Sequence, residues 1–182
     1  MYPGVKRIDA GEAIATWDYD HIITNPPYED QPDIGFLRDY CKGNIVVFCD
    51  PLRRPCGYEA DEILFWLKTP STKNTSNRCS RFVEEILVYR GTPKVFNRLH
   101  WSTMTGVFQD TLIEPTIHPW QKPRSLMEKL IRIYTNEGQT VLDPYAGSGT
   151  TLYAAGLCLR KSLGCDTDPR WGHPIGGGGG GP

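Results

Sequence analysis

The stretch that most constrains the fold is QTVLDPYAGSGTTLYAAGLCLRKSLGCD, residues 139–166. It predicts a strand ending in Asp143, a glycine-containing loop, a helix, and a second strand ending in Asp166. Such a loop lets the backbone approach a ligand at the carboxyl edge of a sheet, and an acidic residue about 20 positions later suits ribose hydroxyls. Because the loop lacks the lysine of a phosphate-binding G-K-[ST] sequence, a nucleoside without a polyphosphate is favoured. A purely structural turn is the competing interpretation.

The rest of the chain also alternates between strand and helix patterns. GNIVVFCD (43–50), EILFWLK (62–68) and VEEILVYRG (83–91) predict strands, and PRSLMEKLIRIYTNEG (123–138) predicts an amphipathic helix. This alternation predicts the α/β class, with a mostly parallel sheet and helices on both faces. The chain of 182 residues suggests one domain, residues 1–175. The glycine-rich tail, 176–182, is interpreted as a linker or an expression artefact.

Composition excludes several classes of protein. No apolar run approaches the ~20 residues of a membrane span, and the N-terminus lacks a secretory pattern, so we expect a cytoplasmic protein. The six cysteines form no C-x-x-C pair, so we expect reduced thiols and no metal site. A net charge of −1 argues against a protein that simply coats nucleic acid. Residues 68–100 nevertheless hold seven Lys/Arg and two Glu, which form either a solvated face or a phosphate-facing surface.

A second motif lies in DHIITNPPYED, residues 20–30, where Asn25, Pro26, Pro27 and Tyr28 follow a short apolar strand. Both prolines fix φ and lack an N–H, so the loop is stiff and rich in acceptors. The side-chain carbonyl of Asn25 and the backbone carbonyl of Pro26 could accept from one amino group, while Tyr28 offers a flat face. The alternatives are a plain turn and a receptor for the exocyclic amine of a nucleobase.

Together these motifs resemble the S-adenosylmethionine-dependent amino methyltransferases of DNA, in their β-group motif order. NPPY looks like the catalytic motif, DPYAGSGTT the methionine-side loop, and GCD the ribose-binding strand end. HPWQKP (118–123) is similar to the segment that encloses the methionine end, and RIDAGEAIATWDYDHIITNPPY to the family's opening. The resemblance covers about residues 7–171. Protein-glutamine methyltransferases share N-P-P-Y but place the glycine loop before it.

The resemblance implies roles for individual residues. The catalytic residues would be Asn25, Pro26, Pro27 and Tyr28, and Asp9 would meet the cofactor's adenine. The full set of implied cofactor-binding residues is Asp9, His118, Gln121, Lys122, Asp143, Tyr145, Ala146, Gly147, Ser148, Gly149, Thr150 and Asp166. It also implies a permuted Rossmann-like fold with a seven-stranded sheet, one strand antiparallel, and chain ends close to the cofactor.

The implied activity is site-specific methylation of the N6 amine of a flipped-out adenine in DNA, as in restriction–modification systems. In the β group the aspartate form of the motif is commoner for adenine and the serine form for cytosine, so Asn25 favours adenine. Three alternatives stay open: N4-cytosine methylation, methylation of RNA or single-stranded nucleic acid, and a catalytically silent partner subunit.

The segment that could recognise a target DNA sequence is short in this chain. The family places a sizeable region before the H-P-x-Q-K-P segment, whereas only about residues 95–117 are available here. Within them Asn97, Arg98, His100 and Gln109 could read base edges. A homodimer or a separate specificity partner could supply the missing recognition surface. The resemblance also implies a bacterial, archaeal or phage-encoded protein.

Overall fold

Strands and helices alternate along the described part of the chain. The computed structural model describes residues 4–27, 29, 31–55, 58–68, 82–100, 102, 104–110, 121–171 and 173–174. The strands are β1 (Val5–Arg7), β2 (His21–Thr24), β3 (Ile45–Cys49), β4 (Glu62–Leu67), β5 (Val83–Tyr89), β6 (Val107–Phe108), β7 (Thr140–Asp143), β8 (Lys161–Cys165) and β9 (His173–Pro174). The helices are α1 (Ala10–Thr16), α2 (Ile34–Tyr40), α3 (Arg124–Tyr134) and α4 (Thr150–Leu157).

The described strands form one sheet in the order β6-β4-β5-β3-β2-β7-β8-β1-β9. Strand β5 runs antiparallel to both of its neighbours, and the other pairings are parallel. The predicted α/β class and the single reversed strand are confirmed. The sheet has nine strands rather than the expected seven, because two-residue strands β6 and β9 lie at its edges. Segments this short carry no alternation from which a strand can be predicted.

Side chains of alternate strand residues enter two separate cores. In β3, Val46 and Phe48 pack with the buried side chains of α3 and α4. Ile45 and Val47 point the other way and pack with those of α1 and α2. Because successive strand residues face opposite sides, the unbroken apolar run of β3 is what a strand covered on both faces requires. The predicted placement of helices on both faces is therefore confirmed.

Helices α1 and α2 have no counterpart among the sequence predictions. Each has seven residues and begins after an aspartate, Asp9 or Asp33, whose carboxylate accepts backbone N–H groups of the first turn. The aspartate caps were a usable signal, but two turns of helix are too few to establish a 3.6-residue period.

The parallel strands direct several polar residues to one edge of the sheet. Asn25 follows β2, Asp143 ends β7, Asp166 follows β8, and Asp9 lies two residues beyond β1. These four strands are parallel, so their carboxyl ends meet at a common edge. In the described part of the chain, no helix has the length and apolar character needed to cross a membrane.

Several predictions lie outside the described residues. These are Tyr28, His118, the polar loop 69–80 with both of its basic residues, Lys73 and Arg78, part of the 95–117 segment, and the tail 176–182.

Candidate active site

A cleft of about 500 Å³ lies at this carboxyl edge. Its wall includes most of the residues that the sequence singled out: Asp9, Asn25, Pro26, Pro27, Gln121, Lys122, Asp143, Tyr145, Ala146, Gly147, Ser148, Thr150 and Asp166. Gly149 does not line the cleft but forms the N-cap of α4. The fold therefore brings the NPPY loop and the glycine loop, more than a hundred residues apart, to one cavity.

Asn25 is half-buried at the end of β2, and Pro26 after it is buried. The side-chain oxygen Oδ1 of Asn25 is buried without a hydrogen-bond partner among the described residues. A buried oxygen of this kind has lost its water without gaining a donor, which costs free energy. An acceptor lining a cleft in this state is suited to a ligand that carries an N–H donor.

Asp143 connects the two loops. Its carboxylate oxygen Oδ1 accepts from the hydroxyl of Thr24, the last residue of β2, at 2.7 Å, and from the backbone N–H of Tyr145 at 3.2 Å. Asp143 is only 2% exposed. This burial raises the pKa of its carboxyl to about 6, although hydrogen bonds, including one from Thr151, oppose the shift. The Thr24 contact fixes the residue before Asn25 against the strand that carries the glycine loop.

The glycine loop is held by Asp166. Oδ2 of Asp166 accepts from the backbone N–H of Gly147 at 2.9 Å, and Oδ1 accepts from that of Asp168 at 2.9 Å. Gly147 has a φ of 50° and Gly149 a φ of 81°, a left-handed region that side chains disfavour. The Asp166 carboxylate thus joins the end of β8 to the loop after β7 and keeps lone pairs for a further donor.

The approach of α4 to the sheet depends on a third glycine. A Cβ on Gly164 in β8 would lie 2.6 Å from Cδ1 of Leu152 and 3.0 Å from Cβ of Ala146. Leu152 belongs to α4, and Ala146 to the glycine loop. The missing side chain therefore lets the helix and its N-terminal loop settle close to the strand end.

Lys122 lines the cleft, but its ammonium is engaged inside the protein. Nζ of Lys122 lies 2.5 Å from Oε2 of Glu84, and the side chains are each 6% exposed. Burial lowers the pKa of Lys122 to about 8, while the charge of Glu84 opposes the shift. Lys68 also forms an ion pair with Glu84. Glu84 was missed from the sequence, although two glutamates in the apolar strand VEEILVY were a signal for buried partners.

A further part of the wall was also missed. Thr167, Asp168, Arg170 and Trp171 line the cleft directly after the strand end that carries Asp166. The guanidinium of Arg170 donates to both oxygens of Asp168, with Nε–O distances of 3.0 and 2.9 Å. The sequence signal that could have identified these residues was their position directly after the GCD strand end, residues 164–166. Within the described ranges, no group of three or more His, Cys, Asp or Glu is arranged to hold a metal ion.

Asn97 requires a correction. Its side-chain amide, predicted to read base edges, donates to the carbonyls of Arg132 and Thr135 at 3.1 and 2.7 Å. It therefore ties the segment to the C-terminal end of α3, where unpaired carbonyls need donors. Leu99 and Met104 in the same segment pack against the core. Arg98, His100 and Gln109, the other three predicted side chains, stay exposed.

Comparison with known proteins places this chain in a family. A 73-residue stretch is 41% identical to the type II methyltransferase M.HindIII of Haemophilus influenzae, covering 36% of this chain and 24% of that protein. A 54-residue stretch is 41% identical to the DNA adenine methyltransferase YhdJ of Escherichia coli, covering 30% of this chain and 18% of that protein. The matched stretches thus span about a quarter or less of these relatives.

The similarity to solved structures covers nearly the whole chain. The crystal structure of an M1.HpyAVI–SAM complex superposes with a TM-score of 0.71 at 27% identity, covering 92% of this chain and 94% of that one. The family profile described as DNA methylase, of the N6/N4 methyltransferases, matches residues 48–171, which is more than half of the chain. The chain therefore belongs to the N6/N4 family of DNA methylases.

Proposed function

We propose that this protein transfers the methyl group of S-adenosylmethionine to the exocyclic N6 amine of an adenine in DNA. The observation that carries the proposal is the buried oxygen of Asn25, unpartnered among the described residues, in a cleft shared with the glycine loop. A catalytic acceptor without a partner suits a substrate that is a donor. Family membership and the M1.HpyAVI complex with the same cofactor support the choice of cofactor.

The residues of the cleft fit this cofactor. A volume of about 500 Å³ accommodates a molecule of its size, and the wall combines carboxylates with apolar and backbone groups. Asp166 would accept from the ribose hydroxyls, since its oxygens keep free lone pairs beside the bonds to Gly147 and Asp168. Gly147 allows close backbone approach. When bound, S-adenosylmethionine supplies a methyl group attached to a positively charged sulfur.

The protein's own task is to prepare the amine. The lone pair of an adenine amine is delocalised into the ring, which makes it a poor nucleophile. Asn25 Oδ1 and the carbonyl of Pro26 would each accept a hydrogen bond from one N–H of the amine, which favours a pyramidal nitrogen with a localised lone pair. When that nitrogen takes the methyl group, the sulfur would leave as the neutral thioether and the nitrogen would lose one proton to solvent. The hydrogen bond from Thr24 to Asp143 holds the start of this loop against the end of β7, which leads into the glycine loop. The sequence assigns stacking on the base to Tyr28, which lies outside the described residues.

The choice of adenine rests on two supports. The first position of the NPPY motif is an amide rather than the serine commoner in the cytosine enzymes of this motif order. One of the relatives is named as a DNA adenine methyltransferase. The N4 amine of cytosine presents the same two donors, so the base must be identified from the product.

The test is incubation of the purified protein with labelled S-adenosylmethionine and four polymers: duplex DNA, single-stranded DNA, duplex RNA and single-stranded RNA. Nucleoside analysis of each product then identifies the methylated base. The proposal requires N6-methyladenine from DNA. Label in N4-methylcytosine would show that the target base is cytosine. Label in RNA alone would show that the substrate is RNA and not DNA. Absence of transfer together with intact cofactor binding would favour a catalytically silent subunit.

A further inference from the structure

We propose that the exposed turn at residues 50–54, with Leu52 at its tip, enters the DNA duplex and fills the space that the extruded target base leaves. This inference rests on the proposed function, because it needs a duplex substrate. It assigns a partner surface to a segment outside the NPPY and glycine motifs.

The turn is short and internally held. Oδ1 of Asp50 accepts from the backbone N–H of Leu52 at 2.9 Å, and the carbonyl of Asp50 accepts from that of Arg53 at 2.8 Å. These two bonds close the chain around an aspartate, a common device of tight turns. Leu52 at the tip is 76% exposed. The turn therefore presents an apolar side chain to solvent on a backbone that is already ordered.

The turn stands beside the cleft. Strands β2 and β3 are parallel neighbours, with Thr24 opposite Val47, so Asp50 extends from the same edge as the NPPY loop. Nη1 of Arg53 lies 3.6 Å from Oε1 of Glu29, and Glu29 lines the cleft. The turn that carries Leu52 is thus linked, through Arg53 and Glu29, to the wall of the cleft that a flipped base would enter.

The far side of the turn is anchored to the sheet. Nε and Nη2 of Arg54 each donate to a different oxygen of Glu85 at 2.7 Å, and Glu85 on β5 is 5% exposed. A two-point contact between guanidinium and carboxylate fixes orientation as well as distance. The C-terminal end of the turn is therefore fixed to β5 of the sheet.

The chemistry of the turn matches what extrusion of a base demands. Flipping removes one base from the stack, and an apolar side chain inserted at that step replaces part of the lost contact. Arg53 is 55% exposed, and its pairing with the 84% exposed Glu29 is a surface contact of little energetic weight. Its guanidinium can therefore exchange Glu29 for a backbone phosphate when DNA arrives.

Leu159 provides a matched control. It is 67% exposed, close to Leu52, and it precedes β8, so it lies at the opposite, amino edge of the sheet. Loss of an equally exposed leucine there should not affect entry of a base into the cleft. Position, rather than exposure, distinguishes the two side chains.

The experiment compares single-turnover methyl transfer by the wild type, Leu52→Ala and Leu159→Ala. The substrates are two duplexes that carry the site found by sequencing wild-type product, one fully paired and one with an abasic residue opposite the target. Leu52→Ala should slow transfer to the paired duplex by about tenfold or more, because flipping costs a few kcal/mol there and less when the target is unpaired. On the abasic duplex Leu52→Ala should match the wild type, and Leu159→Ala should match it on both.

Two results would overturn the assignment of Leu52. One is a normal rate for Leu52→Ala on the paired duplex, and the other is an equal loss on both duplexes, which indicates a defect unrelated to extrusion. If the wild type yields no methylated duplex DNA from which a site can be sequenced, that result would instead reject the proposed function, and the role of the turn with it. Unchanged thermal unfolding of both variants would show that the comparison is free of folding defects.

Discussion

At the scale of single residues, the site is built from side chains whose burial is costly in the free protein. The oxygen of Asn25, which has no partner among the described residues, and the buried carboxyl of Asp143 both lie in the cleft wall. The unmet hydrogen bond of Asn25 costs about 1–3 kcal/mol. The cost at Asp143 comes from burial of its charged form, although its carboxylate is hydrogen-bonded. Substitution of Asn25 tests methyl transfer, and substitution of Asp143 tests the pH dependence of stability.

Asn25→Ala should abolish methyl transfer and leave the affinity for S-adenosylmethionine largely unchanged, because Asn25 is proposed to contact the amine and not the cofactor's sugar. Asn25→Asp, which keeps an acceptor at the same position, should retain measurable transfer. Single-turnover kinetics and calorimetry give the two quantities. Near-normal turnover in Asn25→Ala would remove it from the catalytic role.

Asp143 predicts a pH dependence of stability. Its folded pKa of about 6 lies above the ordinary value of 3.8, so between these values the folded state holds a proton that the unfolded state has lost. Its contribution to stability therefore falls as pH rises through about 4 to 6 and stays low above. Asp143→Asn, which cannot titrate, should gain up to about 3 kcal/mol relative to the wild type across that window.

Urea unfolding of both proteins at several pH values measures this difference. A stability difference that is constant from pH 4 to pH 7 would show that burial does not perturb this carboxyl. At neutral pH we expect Asp143→Asn to bind S-adenosylmethionine more weakly, since it lacks the negative charge beside the methionine-side loop.

At the scale of secondary structure elements, the packing of α4 on β8 positions the glycine loop. Gly164→Ala places a Cβ 2.6 Å from Cδ1 of Leu152 and 3.0 Å from Cβ of Ala146, so the packing of α4 and of the glycine loop against β8 must change, and overpacking of this kind costs about 1–3 kcal/mol. We expect lower stability together with weaker cofactor binding, because the displaced helix carries the loop. Thermal unfolding and calorimetry measure the two effects.

Gly156→Ala is the matched control within the same helix. A Cβ at Gly156 meets nothing within 4 Å, so the substitution should stabilise the helix by about 0.5–1 kcal/mol and leave cofactor binding unchanged. Equal effects of the two substitutions would contradict the close-packing role of Gly164.

The sequence predicted those strands, helices and loops whose formation depends on residues close together in the chain. The strand end at Asp143, the glycine loop and α3 carry their own signals of apolar period and punctuation. Pairings between distant segments were not predictable, since nothing in VEEILVY specifies that Glu84 meets Lys122 38 positions later. Asn97 was misassigned for the same reason, because its partners on α3 are set by tertiary packing.

At the scale of the whole molecule, the described part of the 95–117 segment keeps few side chains for reading a DNA sequence. It uses Asn97 to cap α3 and Leu99 and Met104 to cover the core, which leaves Arg98, His100 and Gln109 exposed. Each good contact to a base discriminates by about 1–3 kcal/mol. We therefore predict that the purified protein methylates a short or relaxed sequence.

Sequencing of methylated positions in treated genomic DNA measures this specificity. A long, strictly obeyed sequence from the monomeric protein would place specificity in residues outside those named here. A sequence that lengthens only in the dimer, or with an added partner, would indicate a second reading surface.

The position of β2 in the sheet has a consequence for synthesis of the chain. Strand β2 lies between β3 and β7, and all four of its residues are buried. Its partner β3 emerges soon after it, but β7 follows more than a hundred residues later. On the ribosome, β2 to β5 can pair while the β7 side of β2 stays uncovered, an apolar edge exposed to other nascent chains. The NPPY loop is therefore translated before the glycine loop, and the cleft that they share is completed only when β7 and β8 have been made.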